Sequence, residues 1–277
     1  MSTPRPSIAD RRRTFAKMHD SGCFILPNPA NPGEARYLQS IGFKAIATTS
    51  SGFAWSRARP DNGITREMAL AHLREMVEAT ELPVNADFEG GFAAEPEGVA
   101  ESVRLAVETG VAALSIEDST GDASRPLYEV ALAVERMRAA RRAIDNAGGD
   151  TLLVGRAECY LVGRPHLDET IARLKGYSDA GADCLYAPGI RTREDIAAVV
   201  KAVAPKPVNL LIGWATELTL ADVAALGVRR ISVGGALARC AWGGFIRAAK
   251  LMAEEGRFDG LANAVSGADL NGLFGGS

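Results

Sequence analysis

Apolar positions alternate between two rhythms from Cys23 to about Glu255. One rhythm is a set of short, largely β-branched and aliphatic runs of strand length: CFILP, KAIATTS, PVNAD, ALSIED, LLVGRAE, CLYAPG, PVNLLIG and RRISVGG, eight in all. The other lies between them, where apolar residues recur at helical spacing. Met68, Leu70, Leu73, Met76 and Val77 form one such stripe and Val99, Val103, Ala106 and Val107 another, each predicting a helix with one buried face. Four of the returns from helix to strand share a form, SIGFKAI, ETGVAAL, DAGADCL and ALGVRRI. Gly42, Gly110, Gly181 and Gly227 fit the left-handed position that closes a helix, where any Cβ would clash.

Eight strand-then-helix units predict an α/β fold, a closed (β/α)8 TIM barrel forming a single domain with an added N-terminal helix. An open doubly wound sheet is the competing reading, but CFILPNPANPGEA carries no GxGxxG after the first strand. The expected organisation is an N-terminal helical segment over residues 1–22, a barrel over 23–255 and a tail over 256–277. Within the first, Ser7 to Asp20 reads as a helix able to cover the barrel floor. The glycine-rich stretch from Leu261 to Ser277 reads as a loose terminus or a short docking helix.

A chain of 277 residues with 47% hydrophobic side chains can bury a large core. The net charge of -3, from 31 basic and 34 acidic residues, argues against nucleic acid and an anionic membrane as partners and for a small molecule. Four cysteines, Cys23, Cys159, Cys184 and Cys240, lack CxxC spacing, so a disulfide framework and a zinc ribbon are not expected. With no apolar leader after MSTPRPSIADRRRTF and no run long enough to span a bilayer, the expected location is the cytoplasm.

The strands of such a barrel end on one rim, so their last residues converge. Asp87 ends the third, Glu117 and Asp118 the fourth, Arg156 and Glu158 the fifth, and Asn209 lies on the seventh. A long loop after the second holds Thr49, Ser50, Ser51, Gly52 and Asp61. Carboxylates crowded on one rim call for a cation, and an all-oxygen set suits Mg2+, or Mn2+, with Asp87 as a direct ligand and Glu117 acting through water. Arg156, inside an apolar strand, needs an anion: either a protein carboxylate such as Glu158 or a substrate carboxylate held bidentately. His19 and His72 fall on predicted helices as surface residues, while His166 and Cys159 lie just past the fifth strand.

Taken in order, GFKAIATTSSG, the RPD of Arg59 to Asp61, PVNADFEGGF, SIEDSTG, GRAE and GADCLYAP resemble the isocitrate lyase/phosphoenolpyruvate mutase superfamily, over Phe24 to about Ala249. The resemblance implies a Mg2+-dependent barrel acting on 2-oxo or 2-hydroxy carboxylates through a metal-held enolate, and a homo-oligomer, dimer or tetramer. It also implies residue roles: Asp87 as metal ligand, Glu117 on the metal waters, Asp61 on a loop near the reacting centre, and Arg156 on the substrate carboxylate. Thr49, Ser50 and Ser51, with Gly52, would offer backbone N–H groups to substrate oxygens, and Asn209 would add a contact.

Two departures shape the expectation. Asn85-Ala86-Asp87 replaces the family's DAD, removing one outer carboxylate from the metal site. The loop after IED reads STGDASRPLY, without the lysine, cysteine and histidine of the true lyases, which argues against isocitrate cleavage; Asp61 and Arg125 are the candidate helpers. The expected activity is lyase-type, making or breaking a C–C bond of a small oxo acid by decarboxylation or hydrolysis. Competing readings are a phosphoenolpyruvate mutase or phosphonopyruvate hydrolase-like C–P enzyme, a sugar-phosphate barrel using Gly213 and Gly234-Gly235, and a catalytically silent oxo-acid binder.

Overall fold

The computed structural model describes residues 4–275, so the first three residues and last two of the expected segments lie outside it. Each of the eight apolar runs contains a strand: β1 (Phe24–Leu26), β2 (Ile46–Ala47), β3 (Val84–Asp87), β4 (Ala113–Glu117), β5 (Leu152–Arg156), β6 (Cys184–Tyr186), β7 (Val208–Leu211) and β8 (Arg230–Ser232). Between and around them run α1 (Ile8–Lys17), α2 (Pro32–Ser40), α3 (Ser50–Ser56), α4 (Arg66–Ala79), α5 (Pro96–Glu108), α6 (Val130–Asn146), α7 (Leu167–Asp179), α8 (Arg193–Val203), α9 (Leu220–Ala225), α10 (Ala236–Glu255) and α11 (Gly267–Phe274). All strand pairs are parallel, in the order β1-β8-β7-β6-β5-β4-β3-β2. At the remaining seam the Ala47 N–H donates to the Pro27 carbonyl at 2.9 Å, drawing β2 against β1. This is the predicted TIM barrel.

Residues on the outward strand faces, such as Leu114, Ile116, Leu153, Leu185 and Leu210, pack under the helices in one continuous core with Val103, Met137 and Ile196. Gly42, Gly110, Gly181 and Gly227 have φ of +96°, +88°, +101° and +86°, the left-handed turn that drops each helix into the next strand.

The N-terminal helix closes the barrel from below. Ser7 caps α1 in a reciprocal box with Asp10. Phe15 plugs the floor among Leu26, Ala45, Ala47, Ala112 and Ala113. Arg12 donates to the carbonyls of Val107 (2.8 Å) and Val111 (3.0 Å), tying α1 to the turn between α5 and β4. With the floor sealed, a ligand enters only from the rim.

Three expectations need correction. His72 is no surface residue: it is 5% exposed and stacks on Phe53, with ring centroids 3.9 Å apart, because α4 turns this position onto the barrel. His19 is likewise drawn in, its ring meeting Phe15 and Phe24 edge-on, and burial, aided by Arg230, lowers its pKa to about 4. The segment after β2 is not one long loop; Thr49 caps the short helix α3 by accepting from Gly52 N–H. The tail reaches back as α11, placing Phe274 against Gly33 and under the Arg36 guanidinium. Among the helices, α10 buries only Ala238 and leaves Leu237, Trp242, Phe245, Ile246 and Met252 exposed. No helix among the described residues is long and apolar enough to cross a membrane.

Candidate active site

Side chains alternate along a strand, so every second residue faces the barrel axis. That rule sends Asn85 and Asp87, Ser115 and Glu117, Arg156, Tyr186, Asn209, and Arg230 and Ser232 into one cavity of about 420 Å³. Thr49, Ser50, Ser51 and Asp61 line its mouth.

Arg156 is the hub. Its Nη1 lies 3.0 Å from Asp87 Oδ1 and 2.9 Å from Glu117 Oε2, its Nε donates to Glu158, and its guanidinium stands 5.3 Å from the Tyr186 ring centre. Both readings of this residue bear on the result: the protein carboxylates occupy Nε and Nη1, and among the described residues Nη2 makes no hydrogen bond. Burial, and then repulsion from neighbouring acids, pushes the Glu117 carboxyl well above its ordinary range even though Arg156 opposes the shift. Glu158 is raised chiefly by burial too, while its acidic partners push the Arg156 pKa well up against the desolvation that would lower it. Such a set is short of positive charge.

Asp87 is held from two sides. The Ser50 backbone N–H (2.9 Å) and hydroxyl (2.8 Å) both donate to Oδ2, and Thr48 Oγ1 accepts from the Asp87 N–H at 2.9 Å. Asp61 lies on the outer lip, where burial of its carboxyl and the charge of Asp87 raise its pKa. Glu89, which was not among the expected site residues, lines a neighbouring hollow with Asn62, Gly90 and Glu117 and not the main cavity. Glu89 is 8% exposed, has φ of +47°, and its Oε1 has no hydrogen-bond partner among the described residues. Burial first, then Asp87 and Asp61, push its pKa up to about 8. The signal was present as a second acid inside DFEGG, but only the turn after β3 shows that it folds inward.

Other positions stand elsewhere. Gly52 is absent from the cavity wall and serves packing: a Cβ there would meet Thr49 Cγ2 at 2.7 Å. Asn209 faces the cavity, yet its amide is engaged by Arg230 Nε (2.9 Å) and Ser232 Oγ (2.9 Å). Asp118 points outward, where Arg173 and Tyr177 of α7 donate to it, and its Oδ1 accepts the Glu158 N–H at 2.8 Å. It therefore braces Glu158 from behind. His166 is exposed and caps α7, Cys159 is fully buried, and Arg125 is exposed on the outer loop, so none of the three lines the cavity. Of the glycines in the sugar-phosphate reading, Gly234 has its N–H engaged, donating with that of Val233 to Asn28 Oδ1 at 3.0 and 2.8 Å.

Oxygen-only donors, pKa values lifted by burial and mutual repulsion, and one arginine shared by three acids make a donor set that could take a hard divalent cation. Among the described residues no three His, Cys, Asp or Glu side chains converge into a complete cage. An ion that takes one or two carboxylates and fills its shell with water is the kind this arrangement could hold, through Asp87 and Glu117.

Comparison with known proteins supplies the remaining observation. The family model for phosphoenolpyruvate phosphomutase matches residues 15–253. The chain belongs to the phosphoenolpyruvate mutase/isocitrate lyase superfamily. A solved structure from Burkholderia cenocepacia J2315, described as a lyase/mutase, superposes with a TM-score of 0.94 at 48% identity over 97% of each chain. An uncharacterized protein of Mycobacterium tuberculosis is 32% identical over 80% of this chain and 81% of its own length. The oxaloacetate decarboxylase of Paraburkholderia xenovorans is 28% identical over 82% of this chain and 75% of its own. This member of the superfamily is accordingly an enzyme of the lyase and mutase type.

Proposed function

We propose that the protein is a Mg2+-dependent lyase of small 2-oxo acids that cleaves a C–C bond next to the oxo-bearing unit, with oxaloacetate-like dicarboxylates favoured over isocitrate. The observation that carries this reading is the loop Ser119 to Tyr128. It is pinned as a tight excursion by a Ser119–Leu127 bridge and by the Thr120 N–H to the Pro126 carbonyl (3.0 Å), and it presents only Ser119 to the main cavity. Retro-aldol cleavage needs an acid placed to protonate the departing carbanion, and the two acidic groups of this loop, the exposed Asp122 and the half-buried Tyr128, do not line the main cavity. Decarboxylation needs no such group at the start, because carbon dioxide leaves and the carbon it abandons takes a proton from water.

A Mg2+ ion at Asp87 and Glu117 would place positive charge beside the 2-oxo oxygen as electrons move onto it. Arg156 fixes the orientation of Asp87, Glu117 and Glu158 together and keeps Nη2 for a substrate oxygen. Ser50 holds Asp87 in place from the mouth. The similarity to an oxaloacetate decarboxylase supports the reaction class. The match to the phosphomutase model keeps a C–P substrate, phosphonopyruvate, as the second reading. The exposed apolar face of α10 supports a homo-oligomer in which a neighbouring subunit covers that helix.

The test is product analysis by mass spectrometry with Mg2+ and oxaloacetate, isocitrate, 2-methylisocitrate or phosphonopyruvate, using an Asp87→Ala protein to subtract metal-catalysed background. Pyruvate and carbon dioxide from oxaloacetate are expected. Robust glyoxylate release from isocitrate, or pyruvate and succinate from 2-methylisocitrate, would sink the proposal.

A further inference from the structure

Beneath the acids the cavity ends on a cation. Arg230, the first residue of β8, is 2% exposed and faces into the barrel, where Nε donates to Asn209 Oδ1 (2.9 Å) and Nη1 to Asn85 Oδ1 (3.1 Å). Both partners are neutral amides, and among the described residues no carboxylate pairs with this guanidinium. Below it lie the Phe15 ring, 6.0 Å from the guanidinium carbon, and the half-buried His19. A buried, permanently charged arginine without a counter-ion is costly, so its persistence at a cavity wall calls for an anion that arrives from outside.

The acids above do not fill that role. Asn85 and Asp87 are two residues apart on one face of β3, about 6.6 Å along the strand, and Asp87 and Glu117 are already engaged by Arg156. Arg156, for its part, has little left for a second substrate carboxylate. Arg230 lines the same cavity as the acids, together with the small side chains of Ala47 and Ser115.

We propose that Arg230, held by Asn85 and Asn209, is an anion subsite at the barrel floor that receives the far carboxylate of a dicarboxylic substrate whose 2-oxygen end lies among Asp87, Glu117 and Arg156. This rests on the oxo-acid reading above and narrows it to dicarboxylates long enough to span one layer of the barrel. Monocarboxylates would leave the Arg230 charge unanswered.

The experiment is equilibrium titration of the full chain, with Mg2+ present, by malate and by 2-hydroxybutyrate. The second ligand has the same four-carbon chain with a methyl group in place of the far carboxylate, and mass spectrometry of the titrated samples checks that neither ligand is cleaved while binding is read. Wild-type protein should bind malate about 10- to 100-fold more tightly, the range expected for a charge-assisted pair. Arg230→Met should erase that preference while leaving 2-hydroxybutyrate affinity unchanged. Asn209→Asp, which sets a carboxylate of the same shape against Arg230 Nε, should erase it as well and decides the matter if the methionine variant fails to fold. Binding of both ligands without preference, or a malate preference that survives in the folded variants, would overturn the floor subsite and leave the oxo-acid reading standing. Binding of neither ligand by the wild type would overturn both.

Discussion

Replacing Glu89 with glutamine should change how stability depends on pH in the metal-free protein. The glutamate is 8% exposed with an unpartnered Oε1, beside Asp87 and Asp61, and its pKa is pushed from 4.5 up to about 8. Because the folded value lies above the unfolded one, the folded protein keeps a proton that the unfolded chain releases. The stability from this group is therefore complete below about pH 4.5 and is lost as the pH climbs through about 8. The gap of about 3.5 pH units, at about 1.36 kcal/mol each, sets a ceiling of about 5 kcal/mol; rotation of the side chain toward water brings the expected loss to about 2 to 3 kcal/mol. Glu89→Gln has the same shape and no proton to lose. Urea unfolding of both proteins in EDTA, from about pH 5 to 9, should show the variant gaining on the wild type as pH rises. Glu117, Glu158 and Asp61 are shifted in the same direction and leave a residual slope in both. Parallel curves for the two proteins would refute the reasoning, since they would mean that Glu89 ionises as freely in the fold as in water.

Three further outcomes follow from the same geometry. Asp87→Ala should remove the heat of Mg2+ binding in calorimetry and the Mg2+-dependent activity while the circular dichroism stays that of the wild type; retained metal affinity would reassign the ligand. Arg156→Lys keeps the charge but not the planar fork that reaches Asp87, Glu117 and Glu158 together, so kcat/KM should fall about 10- to 100-fold, or about 1.4 to 2.7 kcal/mol. Asp118→Asn leaves the buried Arg173 with only Glu169 as a charged partner and should lower unfolding stability by about 2 to 3 kcal/mol in urea titrations; an unchanged midpoint would show that the pair contributes nothing.

Much of this molecule was legible before folding was considered. Each of the eight apolar runs holds a strand, and the four closing glycines sit at positive φ, because short buried strands and helix-ending turns are local: hydrophobic period and backbone sterics over a few residues settle them. Asp87, Glu117 and Arg156 were identifiable as rim residues since each ends a strand, and parallel strands deliver their ends to one place. Recognising which acids and amides face that place required the barrel itself. Glu117 and Asp118 are neighbours in the chain, yet one enters the cavity and the other braces α7 from the far side. His72 carries the residue type of a surface helix position and is buried by the face that α4 turns inward.

What the sequence determined by itself was therefore the eight strands, the helical stripes between them and the rim on which chemistry gathers, all consequences of periodicity and chain connectivity, while the short helix α3 after β2 was not read from it. What only the tertiary structure decided was which charges meet: that three acids share Arg156, that Glu89 is buried beside Asp87 with an unpartnered oxygen, and that Arg230 comes from β8 to sit on two asparagines far from it in sequence. Electrostatic interaction depends on separation and on exclusion from water, and both quantities come into being when the sheet closes and the side chains of distant strands are brought into one dry space.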